Sequence, residues 1–277
     1  MTAARVTPSW LALREPADAA ARARDLVDEL RGDLSADRPL VVHDLGCGTG
    51  SMLRWLAPQL PTPQRWVCHD LDADLLALVA RGPDRAAGTS AAVSVAVRQQ
   101  DVTRLEPGEC ADAAVVTTSA LLDLLTAEEL GRVVAACVQP GCPVLLSLSV
   151  TGRVELSPAH PLDAAVADAF NAHQRRITDR GRLLGPDGVD AAVRALRDAG
   201  YQVLTRASDW RLGAAETELT AAWFTGWLAA AGEQRPELAP ELREYRRQRL
   251  ADAAAGRLRV VVGHRDLLGR PSGGRAG

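Results

Sequence analysis

The chain has no lysine: all 32 of its basic residues are arginine. That excludes a mononucleotide phosphate loop, whose lysine must reach the bound phosphates. The arginine bias itself fits a genome rich in G and C and says little about function. Cysteine is scarce as well. The five present, Cys47, Cys68, Cys110, Cys137 and Cys142, form an odd set without a C-x-x-C pair, which points to reduced, buried thiols rather than disulfides. His43 lies four residues before Cys47, and His69 adjoins Cys68. Neither pairing has the spacing of a zinc site, so no metal is expected. An excess of positive charge is also missing. A net charge of -3 argues against a broad nucleic-acid surface. The first residues contain no apolar signal core, which makes the cytoplasm the expected location. The long uncharged span between Arg132 and Arg153 is broken by Pro140, Gly141 and Pro143. It reads as a helix end, a turn and a buried strand, not a membrane crossing.

What is present is the ordinary composition of a globular protein, 47% apolar and 24% charged over 277 residues. That length allows one α/β domain with additions or two small domains. The chain is organised around Leu40 to Ser51, an apolar run that ends in Asp44 and is followed by Gly46, Gly48 and Gly50. Such a run reads as a first strand turning tightly into a helix, with a nucleotide-like ligand over the turn. A dinucleotide fingerprint would need a third glycine at position 51 or 53, where Ser51 and Leu53 stand. Strands are then expected at 65–70, ending in Asp70; at 93–97, leading to Asp101; at 112–118; and at 142–150. Helices are expected between them at 51–60, 71–80 and 126–138. Unbroken alternation predicts an α/β fold, a doubly wound and mostly parallel seven-stranded sheet. A sixth strand at 201–206 and a seventh at 258–262 complete it.

Four features in this order, Asp44 with its glycines, Asp70, Asp101 and the segment Thr117 to Leu121, resemble the core of class I S-adenosylmethionine-dependent methyltransferases over residues 38 to 150. Agreement is weaker to residue 206 and at the final strand. The resemblance implies S-adenosylmethionine as cofactor and methyl transfer as activity. It implies that Asp44 meets the methionyl end, that Gly46, Cys47 and Gly48 of the loop bind the cofactor, and that Asp70 holds the ribose hydroxyls with Leu71 beside the adenine. Asp101 and Val102 would meet the adenine amino group, and Thr118 and Ser119 would lie beneath the sulfonium. From the residues alone, Asp72 competes with Asp70 for the ribose.

The acceptor side lies outside that pattern. Neither the Asn/Asp-Pro-Pro-aromatic motif of base amino methyltransferases nor the Pro-Cys of cytosine C5 enzymes is present, which favours a small-molecule acceptor and no nucleic-acid or membrane partner. Residues 10–34 read as helical with a kink or restart at Pro16. Arg14, Asp18 and Arg22 there recur every four residues, and spacing favours a solvent-facing ladder over a lid that meets an anionic substrate. Residues 154–161 read as an extended connection, followed by a helix at 162–176 with a polar end. Asn171, His173 and Arg175 there, with Arg14, Arg22 and Trp210, are the candidate substrate contacts, and His173 is the candidate base if one is needed. Gln174 belongs with these contacts, and His160 is the other candidate base. Residues 208–211 read as a loop, and the aromatics of the helix at 215–231 as core in preference to a substrate cage. The expected organisation is a helical cap at 1–36, a domain at 37–265 with a cap insertion at 153–185 and a helical addition at 214–256, and a disordered tail at 266–277. Two other functions stay open: a cofactor-binding regulatory protein without transferase activity, and an RNA methyltransferase.

Overall fold

The computed structural model describes residues 6–34, 39–80, 93–106 and 108–272. Two helices, α1 (Pro8–Ala21) and α2 (Arg24–Gly32), precede the first strand, β1 (Leu40–Leu45). The glycine loop leads into α3 (Ser51–Leu56), then β2 (Gln64–Asp70), α4 (Ala73–Ala80), β3 (Val93–Gln99) and β4 (Val115–Ser119). Next come α5 (Ala127–Val138), β5 (Val144–Ser157), α6 (Asp163–Gln174) and a small hairpin of β6 (Ile177–Thr178) and β7 (Gly181–Arg182). The chain continues through α7 (Gly188–Asp198), β8 (Tyr201–Ala207), β9 (Trp210–Leu212), α8 (Thr217–Gln234), α9 (Ala239–Ala254) and β10 (Arg259–Pro271).

Seven strands form one sheet in the order β3-β2-β1-β4-β5-β10-β8, and β9 pairs with β10 beside it. The first five of these run parallel, while β10 is antiparallel to both of its neighbours. This is the mixed, mostly parallel sheet expected from the alternation, and its order reverses at β1, where β2 and β4 lie on opposite sides. Crevices at such a reversal are where open α/β sheets bind ligands.

Both faces of the sheet are covered, which suits strands that are apolar on both sides. On one face α5 and α7 supply Leu130, Val133, Val189 and Leu196; on the other, α2, α3 and α4 supply Leu26, Leu30, Met52, Leu56 and Leu76. Each fully buried leucine of this kind contributes roughly 1.5–3 kcal/mol. The start of α5 is fixed by a reciprocal cap, in which Thr126 accepts from Glu129 N–H and Glu129 accepts from Thr126 N–H. A third core joins α6, α8 and α9 to the outer ends of β5 and β10 through Val166, Phe224, Trp227 and Tyr245. Phe224 and Trp227 are buried there, as the core reading of those aromatics expects.

Several boundaries differ from the sequence reading. Pro16 does not restart the first helix. It lies within α1, which gives up one backbone hydrogen bond but is held by Trp10, Leu13, Ala17 and Ala21 packed on the third core. The break falls instead at Arg22, whose ψ of 137 is extended, because the next N–H, that of Ala23, donates to Asp266 at 2.9 Å. The supposed connection at 154–161 is largely the second half of β5, paired with β10 from Arg259 to Val262. The loop at 208–211 contains β9, paired to the same half of β10. The closing strand runs to Pro271 and takes in the start of the expected tail. The last residues of the expected tail, 273–277, lie outside the described residues.

Candidate active site

The glycine loop is shaped by its own backbone. Gly46, Gly48 and Gly50 have φ of 68°, 55° and 83°, a region that L side chains occupy only under strain. A Cβ on Gly48 would lie 3.1 Å from Leu11 Cδ1 of α1, so the first helix sits directly over the loop. The loop is also tied to β2: Cys47 N–H donates to His69 O at 2.9 Å, and Gly48 N–H donates to Asp70 Oδ2 at 2.8 Å. Cys47 offers only its backbone, since its thiol is buried and is pushed up by its hydrogen bond with Cys68 and by burial.

Asp44 is 1% exposed at the end of β1, and neither carboxylate oxygen has a hydrogen-bond partner among the described residues. Burial pushes its pKa up to about 7, against the pull of Arg22, and the negative charge of Asp70 adds to the rise. Arg22 is as deeply placed, at 3% exposed. Its Nη2 donates to Ser51 Oγ and Ser119 Oγ, both at 3.2 Å, whereas Nε and Nη1 have no partner. The guanidinium lies over the Trp55 ring, 5.3 Å from its centroid. Burial lowers its pKa while Asp18, Asp266 and Asp44 work to keep it charged. An unpaired carboxylate and a partly unpaired guanidinium thus stand together at the crevice. That is the donor set matching an α-amino acid, which carries one ammonium and one carboxylate.

The Arg14, Asp18 and Arg22 series does not face solvent. Arg14 donates to both oxygens of Asp18 at 2.9 and 3.1 Å, and Trp210 Nε1–H donates to Asp18 Oδ1 at 2.9 Å. Asp18 is 4% exposed. The solvent-ladder reading is therefore overturned: the stripe holds α1 against the domain. Trp210 is 3% exposed and lies between Trp10 and His264, which makes it a packing residue behind the helix and not a side chain displayed on a loop.

Asp70 and Asp72 have different surroundings. Asp72 Oδ1 accepts from Asp74 N–H and Leu75 N–H and so caps α4, while Asp70 takes Asp72 N–H on Oδ1 and Gly48 N–H on Oδ2. Asp70 therefore lies against the glycine loop, and next to it Leu71 is 66% exposed, a large apolar side chain with a free face. Asp101 caps the short 3-10 turn Val102–Arg104 by accepting from Thr103 N–H and Oγ1–H, and it also pairs with Arg104 at 3.5 Å. Val102 is buried. After β4, Thr118 is buried with an unpartnered hydroxyl, Ser119 meets Arg22, and Ala120 takes a left-handed φ of 54°.

The acceptor side is less convergent. Asp123 follows β4 and comes within 3.4 Å of Gln174 Nε2 of α6. Burial pushes its pKa up to about 6 against Arg14, Gln174 and Arg176. His173 is half-buried, with its pKa lowered by burial and by Arg176, so its ring is neutral near pH 7. Asn171 Nδ2–H donates to Gly152 O at 2.9 Å, and Arg175 forms a two-pronged pair with Asp187 at 2.7 and 2.6 Å. Asn171, Arg175 and Arg176 line an open cavity of about 670 Å³. His160 is engaged locally, accepting Leu162 N–H on Nδ1. Among the described residues no cluster of three or more potential ligands could hold a metal ion, and no helix is long and apolar enough to cross a membrane.

Two participants escaped the sequence reading. Asp266 on β10 accepts from Ala23 N–H and, at 2.7 Å, from Leu148 N–H; its signal was the lone acid of the strand, just before the apolar pair Leu267-Leu268. Glu15 binds Arg54 of α3 through paired contacts at 2.6 and 2.5 Å, a second tie between the first helix and the loop.

Residues 42–141 match the family model described as "Methyltransferase domain". This part of the chain is a class I S-adenosylmethionine-dependent methyltransferase domain. Its cofactor is S-adenosylmethionine and its reaction is methyl transfer. Solved structures similar to it include a SAM-dependent methyltransferase from Geobacter sulfurreducens in complex with S-adenosyl-L-homocysteine (15% identity, 96% of this chain and 98% of that one, TM-score 0.46). Others are a putative sarcosine dimethylglycine methyltransferase from Galdieria sulphuraria (11%, 90% and 85%, TM-score 0.46) and a geranyl diphosphate methyltransferase in complex with SAM (16%, 88% and 84%, TM-score 0.46). No curated protein matches the chain in sequence.

Proposed function

We propose that this methyltransferase acts on a small-molecule acceptor held between the first helix and the end of α6. The observation that carries this reading is the enclosure of the segment after β4. On one side α1 is fastened to the neighbouring glycine loop and α3 through Leu11 on Gly48 and Glu15 on Arg54, and Arg22, which caps it, reaches Ser119 of the segment. On the other, Gln174 reaches Asp123. A segment reached from one side by Arg22 and from the other by Gln174 suits a compact acceptor better than a polymer. Arg14 and Arg176 near Asp123 make an anionic acceptor the preferred class.

S-Adenosylmethionine supplies an electrophilic methyl group on a sulfonium, so the protein's tasks are alignment and exclusion of water. Asp44 and Arg22 would hold the methionyl ammonium and carboxylate, Gly46, Cys47 and Gly48 would lie along that end with their backbone, and Asp70 would hold the ribose. Leu71, Asp101 and Val102 would border the adenine, and Thr118 and Ser119 the reacting end. Arg22 thereby moves from the acceptor, where sequence placed it, to the cofactor. Where the acceptor must lose a proton, His173 is the proposed base, since its neutral ring can accept one. In this organisation residues 1–36, 153–185 and 214–256 form the cap and its support.

The test is incubation of the protein and methyl-labelled cofactor with a cell extract, followed by fractionation. Label in a low-molecular-weight product supports the reading, and its structure identifies the acceptor atom. Label confined to RNA, with binding that weakens steeply with salt, would support the nucleic-acid alternative. Cofactor binding without transfer to any fraction would return the chain to a regulatory role.

A further inference from the structure

The dipeptide His-Asp occurs twice, at residues 43–44 and 69–70, at the ends of adjacent parallel strands. The aspartates belong to the cofactor crevice. The histidines, on the opposite side of each strand, are both 0% exposed and meet: His43 Nδ1 lies 3.0 Å from His69 Nε2. The contact extends in both directions. His43 Nε2 is 2.9 Å from Asp112 Oδ1, His69 Nδ1 is 3.0 Å from Gln100 Oε1, and the Gln100 amide donates onward to Glu109 Oε1.

The hydrogens in this row can be counted. Four contacts join Asp112, His43, His69, Gln100 and Glu109, and each needs one hydrogen. Both ends are acceptors. Asp112 also accepts from Arg65 Nη1–H at 2.9 Å, and Glu109 from Glu106 N–H at 2.7 Å, so both carboxyl groups act as acceptors. A neutral imidazole supplies one hydrogen, and the Gln100 amide supplies one to either side but not to both. The supply is three for four contacts, whichever tautomers are chosen and whichever way the amide is turned.

We propose that the row from Asp112 to Glu109 is a proton-binding site: the two histidines share one hydrogen beyond their neutral complement, and this hydrogen positions the ends of β1 and β2 that carry Asp44 and Asp70. The charges around it are mixed. Burial, with Arg98 from β3 and Arg65 from β2, lowers the His43 pKa against the hydrogen bond and charge of Asp112. Burial, with His43 and Arg98, lowers the His69 pKa further, to about 4, against Gln100 and Glu109. Cys110 beside the row is neutral, its thiol pushed up to about 11 mainly by burial. The extra hydrogen therefore belongs on His43, against the carboxylate. Its loss at higher pH turns two acceptors toward each other and parts one contact, an expensive loss for buried polar groups.

The count is tested on the full chain without cofactor, by long-range proton–nitrogen NMR of labelled histidine at pH 7. The expected spectrum shows three of the four ring nitrogens of His43 and His69 protonated. Asp112→Asn and Glu109→Gln each add an amide hydrogen at one end of the row, so either variant should show two protonated nitrogens. Two in the native chain, or three in a folded variant, would overturn the proton site. The positioning role, which rests on the cofactor assignments above, is read by calorimetry with S-adenosylmethionine across the pH at which the pair deprotonates. Affinity should fall by at least about fivefold in the native chain, the lower end of ordinary coupling between sites, and stay level in Asp112→Asn. A level profile in the native chain overturns positioning alone, and complete absence of binding at every pH points to the cofactor assignments instead.

Discussion

Replacing Asp44 with Asn separates what its buried carboxylate costs from what it is used for. Its pKa is pushed from an ordinary 3.8 up to about 7, chiefly by burial. Between those values the folded chain binds a proton that the unfolded chain has released, so stability falls as pH rises through that window and levels off above it. A rise from 3.8 to about 7 corresponds to about 4 kcal/mol of lost stability once the group is ionised. At pH 5 the same linkage leaves a cost of about 2 kcal/mol, and below pH 4 almost none. Asparagine is nearly the same size and carries no charge, and Arg22 keeps Asp18 and Asp266 as neighbours. Thermal unfolding at pH 8 should therefore show Asp44→Asn more stable than the native chain, by roughly 8 °C at about 2 °C per kcal/mol for a chain of this length. The gain should shrink at pH 5. Saturating S-adenosylmethionine should raise the melting temperature of the native chain, by the equivalent of about 2.7 kcal/mol at a hundred times the dissociation constant, and should leave the variant nearly unmoved. A variant no more stable at pH 8, or one that keeps the full response to cofactor, would refute the account of Asp44 as an anchor kept at the expense of stability.

Two further substitutions probe the flanks of the site. Asp70→Ala removes the acceptor of Gly48 N–H along with the proposed ribose contact, so calorimetry should show affinity for S-adenosylmethionine weakened at least about tenfold, or about 1.4 kcal/mol; an unchanged affinity would move the ribose to another acid. Asp163→Ala leaves Arg249, 1% exposed, without the carboxylate that it meets at 2.7 Å and that Tyr245 Oη–H meets at 2.6 Å. Breaking such a buried pair costs about 3–5 kcal/mol. Urea unfolding should report that loss, and a change below about 1 kcal/mol would show that the cap does not depend on the pair.

The parallel half of the sheet and the three acids were legible because each rests on a local pattern. Apolar runs of strand length end in Asp44, Asp70 and near Asp101, and the glycines leave one kind of turn. The cap was not legible, for physical reasons that differ by residue. Arg14, Asp18 and Arg22 have the spacing of a solvent ladder, and only the position of Trp210, far along the chain, reveals that Asp18 faces inward. Pro16 carries the strongest local signal for a helix break, yet tertiary packing on Trp10, Leu13 and Ala17 outweighs it. The second half of β5 contains no run a sequence reader would choose: Val154, Glu155, Leu156 and Ser157 become a strand because β10 supplies their partners. The meeting of His43 and His69 needed the register of β1 on β2, in which Leu45 stands opposite His69.

The hydrogen bond from Ala23 to Asp266 joins residues 243 positions apart. Because a polypeptide is made from one end to the other, the glycine loop, Asp44 and Asp70 all emerge well before the acid that sets the bend after α1. A nascent chain can thus assemble most of the floor of the proposed methyl-donor site while Arg22 still lacks the backbone anchor beside it. The order of synthesis places completion of the lid last, after β10 has been added to the sheet.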